Sequence, residues 1–291
     1  MVISNLLGGL GNQMFQYAAG RALSIRLGEP LKLDTRDFTG YKLHQGFELS
    51  RLFNCDAEII TNENLKKVLR WHSSKLVQRI FKRQQLTSLR CNSYVVEPTF
   101  NYWPGVRDLS GDVYLDGYWQ SEQYFEQYTG KIRKDFTFKL PLSLKNKEIA
   151  EKILQVNAVG LHVRRGDYVT NSKNAYIGVC SLDYYKIAIE EIKGLVDKPI
   201  FFVFSDDISW VKSNLVLNNK AVFICHNQGN ESYNDMRLMS LCKHNIIANS
   251  SFSWWGAWLN ANPNKIVIAP KKWFASKLDD SDLVPHAWLR F

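Results

Sequence analysis

The sequence has 291 residues, which is long for a single hydrophobic core and sufficient for two domains of ordinary size. Its 45% apolar and 22% charged residues exclude a disordered or fibrous chain. The absence of a membrane-length apolar run and of a secretory signal predicts a cytoplasmic protein, and the net charge of +9 comes mostly from residues 64–96, with eight Lys or Arg and no Asp or Glu.

The first half alternates between predicted strands and helices, which is typical of an α/β fold with mainly parallel sheets. The run VISNLL predicts a strand, and residues 13–28 predict a helix that ends at Gly28. Further strands are predicted at PLKLD and at DVYLD, which GYWQ follows. The polar, proline-containing stretch FKLPLSLKNKEIA indicates a boundary near residues 139–147, and therefore domains at 1–143 and 144–291.

The basic segment within residues 64–90 has two interpretations. Leu65, Leu69, Leu76 and Ile80 recur at near-helical spacing with basic residues between them. We favour a packed helix with a solvated basic face, and the alternative is peripheral contact with an anionic membrane. Nucleic-acid binding is not predicted, because no recognised fingerprint is present.

The second half has a clearer α/β pattern. Strands are predicted at AVGLHV, PIFFVFSDD, AVFIC, NIIAN and KIVIAP, and helices at SLDYYKIAIEEIKGL, SYNDMRLMSLCKH and SFSWWGAWLN, with Ser181 capping the first helix. The aromatic C-terminal tail is expected to dock back onto the body. Ligands of such domains bind at the carboxyl ends of the strands.

A glycine-rich turn joins the first strand to the first helix. Its glycines Gly8, Gly9 and Gly11 let the backbone approach a ligand, but Met14 stands where a dinucleotide fingerprint needs glycine. The glycines alone fit a structural turn or a ligand loop equally well. The amides of Asn12 and Gln13 favour sugar hydroxyls as the ligand, since both groups donate and accept hydrogen bonds.

Two arginines end the strand GLHV. Alternation along the strand places His162 and Arg164 on one face and Arg165 on the other. One arginine can hold a diphosphate and neutralise a departing phosphate, while the other pairs with Asp167 and shapes the loop. The alternative is a buried ion pair with no ligand.

Two further motifs follow buried strands. In FVFSDD, Asp206 is predicted to accept hydrogen bonds from guanine, whereas Asp207 is better explained as a helix cap. Asn249, Ser250 and Ser251 precede a helix start, which predicts a second phosphate cradle. The tryptophans of SFSWWGAWLN are predicted to belong to the core.

The motifs GGLGNQMFQYA, LHVRRGD, FSDD and NSSFSWWGAWLN, in this order, resemble those of glycosyltransferase family 11, the bacterial α-1,2-fucosyltransferases. The resemblance extends from Gly8 to about Pro270. It implies a GT-B-like pair of Rossmann-type domains facing a cleft. It also implies a metal-independent, inverting transfer of L-fucose from GDP-fucose to galactose, without a cofactor.

The resemblance also implies a role for each matched residue. Arg164 would contact the diphosphate, and His162 and Asp206 would contact the guanine. Ser250 and Ser251 would contact a phosphate. The glycine-rich loop with Asn12 would face the fucose and the acceptor. Asp37 and Asp167 are candidate general bases, with the departing phosphate as a third. The acceptor is expected to be a galactose-containing oligosaccharide or a lipid-linked glycan. The alternatives are α-1,3 transfer, transfer of another GDP-sugar, and a non-catalytic sugar- or nucleotide-binding protein.

Overall fold

The computed structural model describes residues 1–40, 45–166, 178–217, 221–276 and 278–291, and it divides the chain into two compact units. The first unit contains residues 1–139 and 281–283, and the second contains residues 140–280 and 284–291. Asp282 belongs to the first unit because its carboxylate accepts hydrogen bonds from the Tyr102 backbone N–H at 3.2 Å and from Gln123 Nε2 at 3.1 Å. Each unit is built on a parallel sheet, so the predicted α/β class is confirmed.

The described residues of the first unit form a five-stranded parallel sheet with the order β3-β2-β1-β5-β4. Its strands are β1 (Val2–Asn5), β2 (Leu31–Asp34), β3 (Glu58–Ile59), β4 (Tyr94–Val96) and β5 (Val113–Asp116). Its helices are α1 (Leu10–Leu27), α2 (Leu49–Leu52), α3 (Asn62–Leu69), α4 (Lys75–Phe81) and α5 (Thr129–Asp135). The central strand β1 is fully buried, because it pairs with β2 on one side and with β5 on the other.

Helix α1 begins at Leu10, three residues before the predicted start, and ends where it was predicted to end. Gly28 closes the helix in the left-handed conformation with φ of 68°, and its N–H donates to the carbonyl of Ile25. At the other end, Gly8 turns the chain with φ of 80°, and Gly9 occupies the N-cap position. The earlier start places Gly11 and Asn12 inside the first helical turn.

The basic segment folds into α3 and α4, but only half of its apolar stripe is buried. Leu65 and Leu69 pack into the core, whereas Leu76 and Ile80 are 67% and 44% exposed. The expectation of a packed helix is therefore correct for α3 and wrong for α4. The reason is that α4 directs polar side chains inward: Lys75 Nζ donates to Asn5 Oδ1 at 2.7 Å.

The described residues of the second unit form a six-stranded parallel sheet with the order β11-β10-β9-β6-β7-β8. Its strands are β6 (Ala158–Val163), β7 (Ile200–Ser205), β8 (Ala221–Ile224), β9 (His244–Ile246), β10 (Val267–Ala269) and β11 (Leu289–Arg290). Its helices are α6 (Leu144–Leu154), α7 (Leu182–Leu195), α8 (Ile208–Asn214), α9 (Tyr233–Leu241) and α10 (Ser251–Leu259). The aromatic tail contributes β11 as an edge strand paired with β10.

Two local signals in the second unit predicted the structure correctly. The Ser181 side chain accepts a hydrogen bond from the Tyr184 N–H and caps α7, as predicted. Trp254, Trp255 and Trp258 are buried in the core, also as predicted. Helix α6 begins within the polar stretch that was predicted to contain the domain boundary, and the Ser143 side chain caps it by accepting a hydrogen bond from the Asn146 N–H. In the described part of the chain, no helix is long and apolar enough to cross a membrane.

A polar cluster fixes the start of α9 against α6. The Asp235 carboxylate accepts a hydrogen bond from Asn227 Nδ2 at 2.7 Å, and Asn227 Oδ1 accepts one from Asn146 Nδ2 at 2.8 Å. Burial raises the pKa of Asp235 to about 7, although the hydrogen bond from Asn227 opposes this shift. Between about pH 4 and pH 7, the folded protein therefore keeps a proton on Asp235 that the unfolded chain has released.

We predict that Asp235→Asn removes one pH-dependent contribution to stability. In the wild type this contribution is fully present below about pH 4, declines as the pH rises, and is lost above about pH 7, because the folded-state pKa is the raised one. The free energy of unfolding, measured by urea denaturation from pH 4 to pH 8, should fall relative to that of the variant. Parallel curves for the two proteins would contradict the assignment.

Candidate functional site

The carboxyl ends of β6 and β7 bring Arg164 and Asp206 together. The two strands pair in parallel with Val163 opposite Ser205, so the residue after each strand meets the residue after the other. Arg164 Nη1 lies 3.1 Å from Asp206 Oδ2, and the Arg165 backbone N–H donates to Asp206 Oδ1 at 2.9 Å. Both carboxylate oxygens of Asp206 thus contact the turn that follows β6.

Gly166 makes this close approach possible. A Cβ atom built at Gly166 would lie 2.8 Å from Asp206 Oδ2, closer than real contacts allow. The sequence predicted Asp206 as a contact of the base, and its role in holding the β6 turn was not foreseen. Asp167, predicted to pair with Arg165, lies outside the described residues.

Arg165 is held by α8. Its guanidinium lies over the ring of Trp210, 4.0 Å from the ring centroid, and its Nε is 3.8 Å from Asp207 Oδ2. Asp207 Oδ1 also accepts a hydrogen bond from the Trp210 N–H at 3.0 Å, which confirms the predicted helix cap. Trp210 was not predicted as a partner, because nothing local in the sequence links it to Arg165.

His162 is buried near the end of β6 and carries no charge at neutral pH. Burial is the main reason why its pKa falls to about 4, and the positive charge of Arg164 adds to the shift, while Asp206 opposes it. Among the described residues, no group forms a hydrogen bond with its Nδ1. A buried ring nitrogen without a partner is costly, and a ligand hydrogen bond would remove that cost.

One member of the predicted second phosphate cradle, Asn249, has its side-chain amide engaged within the protein. Asn249 donates both N–H groups of its amide to the chain, to the carbonyls of Gly178 at 3.1 Å and Trp273 at 3.0 Å. A phosphate needs donors, so the expectation that the Asn249 side chain binds one is corrected. Ser250 occupies the N-cap position of α10 and Ser251 is its first residue, so both lie at a helix N-terminus as predicted.

In the first unit, the glycine-rich turn is coupled to the chain after β5. Gln120 Nε2 donates to Asn12 Oδ1 at 2.7 Å, and a Cβ atom at Gly8 would lie 2.7 Å from Asn12 Nδ2. Gln13 behaves differently: it is fully buried, and its amide donates to the carbonyls of Gly8 and Gly46 and accepts from the Glu48 N–H. The prediction that the Gln13 amide binds sugar hydroxyls is therefore wrong, because the protein itself satisfies that amide.

Glu97 holds the chain segment that carries Gln120. Its carboxylate accepts hydrogen bonds from the N–H groups of Tyr118 at 2.7 Å and Trp119 at 2.8 Å. Trp119 has φ of 55°, a conformation that is unfavourable for residues other than glycine and that persists only when its surroundings enforce it. Neither Glu97 nor Gln120 was predicted as a site residue, since Glu97 lies on a different strand end and no local pattern connects the two.

Asp37, a candidate general base, lies beside a network of buried charges. Its Oδ2 accepts a hydrogen bond from Lys75 Nζ at 2.8 Å, and Lys75 is also 3.4 Å from Asp34 Oδ2. Asp34 is fully buried and accepts from Arg36 and from the Tyr114 hydroxyl. Burial alone would raise the pKa of Asp34, but the hydrogen bond from Arg36 and the charge of Lys75 lower it to about 2.

Among the described residues, no three His, Cys, Asp or Glu side chains are grouped so as to hold a metal ion. That the reaction proceeds without a metal ion stays a prediction.

Comparison with known sequences gives matches over nearly the whole chain. Residues 1–289 match glycosyl transferase family 11. An alpha-1,2-colitosyltransferase of Escherichia coli is 40% identical over 100% of this chain and 98% of its own. The O-antigen biosynthesis glycosyltransferase WbnK of Escherichia coli is 34% identical over 98% and 99%. A galactoside alpha-(1,2)-fucosyltransferase 2 of Hylobates lar is 27% identical over 88% and 68%.

Solved structures share the fold at low sequence identity. NodZ alpha-1,6-fucosyltransferase soaked with GDP-fucose aligns with a TM-score of 0.52 and 16% identity, covering 89% of this chain and 91% of NodZ. Arabidopsis thaliana FUT1 in complex with GDP aligns with a TM-score of 0.53 and 11% identity, covering 92% and 70%. The fold is thus that of the GT-B fucosyltransferases, and the family match over almost every residue shows that the chain belongs to glycosyltransferase family 11.

Proposed function

We propose that the protein transfers L-fucose from GDP-fucose to the 2-hydroxyl of a terminal galactose on a glycan, with inversion at the anomeric carbon. The observation that carries this proposal is the arrangement after β6 and β7, where Asp206 holds Arg164 beside a neutral, buried His162. Family membership and the names of the relatives support the reaction type.

Arg164 is the residue that we assign to the departing diphosphate. As the bond to the anomeric carbon breaks, negative charge grows on the β-phosphate, and a preorganised cation lowers the barrier to that step. A guanidinium has five N–H donors, so it can contact Asp206 and a phosphate with different nitrogens. Its side chain is 28% exposed, which leaves it accessible to a ligand.

The remaining contacts to GDP-fucose and to the acceptor are assigned from the positions of the residues. The neutral His162 ring offers its partnerless Nδ1 to the guanine, and Asp206 is assigned to the N1–H and N2–H donors of the base. Ser250 and Ser251 supply hydroxyl or N–H donors to a phosphate at the start of α10. The turn of Gly9 and Gly11, with Asn12, is assigned to the fucose and the acceptor.

The acceptor hydroxyl must lose a proton as it attacks. Asp37, Asp167 and the departing phosphate are the candidate acceptors of that proton. If Asp37 is the base, Asp37→Asn should lower kcat and abolish the fall of the rate at low pH that protonation of the base causes; if the proton goes elsewhere, the pH–rate profile should keep its shape.

A second donor is favoured by one specific observation, the 40% identity with an alpha-1,2-colitosyltransferase. Colitose is fucose without the 3-hydroxyl, so the two GDP-sugars differ by one hydrogen-bonding group. A site built to bind that hydroxyl rejects the deoxy sugar strongly, whereas an apolar site discriminates weakly.

The deciding experiment measures GDP release with GDP-fucose and with GDP-colitose, each supplied with a panel of galactosides. We expect release to require a terminal galactose, to continue in EDTA, and to yield an α-1,2 linkage by NMR of the product. A higher kcat/KM for GDP-colitose than for GDP-fucose would show that GDP-colitose is the preferred donor. An α-1,3 product or loss of turnover in EDTA would contradict the proposal.

Replacing Arg164 by alanine should lower kcat by about 10²–10³-fold, because the departing phosphate loses its cation. Arg164→Lys should recover only part of the rate, since lysine supplies a point charge instead of a planar fork. Arg107→Ala, at an exposed arginine of the other unit, is the control and should keep the wild-type rate. A folded Arg164→Ala enzyme that loses only tenfold would refute the assignment.

Gln120 is predicted to act as a positioning residue through Asn12. Gln120→Ala removes the 2.7 Å hydrogen bond to Asn12 Oδ1 and should lower kcat by roughly tenfold. The sharper measurement is a double-mutant cycle. If Gln120 acts only through Asn12, its replacement has no further effect in an Asn12→Ala background. Additive losses would show that Gln120 acts independently, and Gln127→Ala, at an exposed residue nearby, serves as the control.

A further inference from the structure

Exposed apolar and exposed basic side chains occur together between residues 66 and 89 of the first unit, and we call this region the basic apolar surface. Its apolar members Trp71, Leu76, Ile80 and Leu89 are 56%, 67%, 44% and 58% exposed. Its basic members are also exposed, and they are Lys66, Lys67, Arg70, Arg79 and Arg83. Large apolar side chains grouped on a surface commonly mark an interaction site.

The apolar side chains face outward because α4 is attached to the protein by its polar face. Lys75 reaches Asn5 and Asp37, and Lys82 Nζ donates to the buried carboxylate of Asp116 at 2.7 Å. Gln78 lies on the same side and is buried. Both lysines therefore direct their ammonium groups towards polar groups of the protein body, and Leu76 and Ile80 remain on the outside.

The outward residues of α4 lie beside Trp71 and near the stretch around Leu89. Arg79 and Ile80 follow Leu76 by three and four residues, so both are its neighbours on α4, and Arg83 lies two residues after the helix end. The Trp71 ring packs edge-on against Phe81 at the end of α4, 4.8 Å between centroids. Arg90 Nε donates to the Phe81 carbonyl at 2.7 Å, which ties the stretch around Leu89 to the same helix end.

The charge of this surface is mainly positive, and the exposed Glu63 in the first turn of α3 is an acidic neighbour of Lys66 and Lys67. Residues 64–96 contain no Asp or Glu, and none of the five exposed basic side chains forms an ion pair within the described ranges. Each lysine or arginine near an anionic bilayer adds attraction, and apolar side chains between them insert at the level of the headgroups. The phosphate backbone of a nucleic acid would use the charges but not the apolar side chains.

We propose that the basic apolar surface binds an anionic lipid bilayer, with Leu76 and Ile80 inserted and Arg79 and Arg83 against the lipid phosphates. The interaction is peripheral and is weakened by salt. It would hold the enzyme beside acceptors that are themselves attached to lipid, and it does not depend on which sugar the enzyme transfers.

The test is sedimentation of the full chain with vesicles, without sugar nucleotide, so that its outcome is independent of the transfer reaction. We expect binding to vesicles of phosphatidylcholine containing phosphatidylglycerol, weak binding to phosphatidylcholine alone, and release as the salt concentration rises. Arg79→Glu/Arg83→Glu should lower the partition coefficient by at least roughly tenfold. Leu76→Ser/Ile80→Ser should also weaken binding, because it removes the inserted groups.

Two control variants make the same changes on α6 of the second unit. Lys145→Glu/Lys147→Glu changes the net charge by the same amount, and Leu144→Ser/Leu154→Ser removes two exposed leucines. Both should bind vesicles as the wild type does. Equal binding to neutral vesicles, equal losses in the controls, or no binding at low salt would overturn the proposal. So would a vesicle-free self-association that Leu76→Ser/Ile80→Ser abolishes, because a second copy would then be the occupant.

Discussion

The conformation of the turn after β6, in the second unit, depends on one carboxylate. Asp206 contacts the Arg164 guanidinium with one oxygen and the Arg165 N–H with the other, so it determines the path of the chain after β6. The parallel register of β6 and β7 brings these residues level, and the missing side chain at Gly166 admits the carboxylate. A cation held in this way needs little reorganisation when charge develops on a ligand, which is the condition for efficient electrostatic catalysis.

The first unit contains two buried carboxylates whose negative charge must be compensated. Asp34 and Asp116 are buried at the carboxyl ends of β2 and β5, and uncompensated buried charges cost several kcal/mol each. Lys75 of α4 and Lys82, directly after its end, compensate them, and the hydroxyls of Tyr114 and Tyr94 complete their hydrogen bonds. Consequently α4 is held by ion pairs and hydrogen bonds together with the packing of Phe81, and the side chains of Leu76 and Ile80 become surface features.

Both units thus hold a polar group in place with a partner that is distant in sequence. Gln120 orients Asn12 across more than a hundred residues, and Glu97 in turn fixes the strained turn at Trp119. Such partners lie on different strand ends, which is where the loops of parallel sheets meet. The polar groups of both units are therefore positioned by loops that the strands bring together.

The sequence by itself determined the features that act locally. Alternating apolar patterns predicted the parallel α/β sheets, Gly28 and Ser181 marked helix ends, Asp207 was recognised as a cap, and the four motifs indicated the family. Only the tertiary structure decided that the amides of Gln13 and Asn249 form hydrogen bonds within the protein. It also decided that the apolar side chains of α4 are exposed and that Asp206 holds Arg164. The physical reason is that periodicity and capping depend on neighbours along the chain, whereas the partner of a buried polar group is chosen by strand order and register.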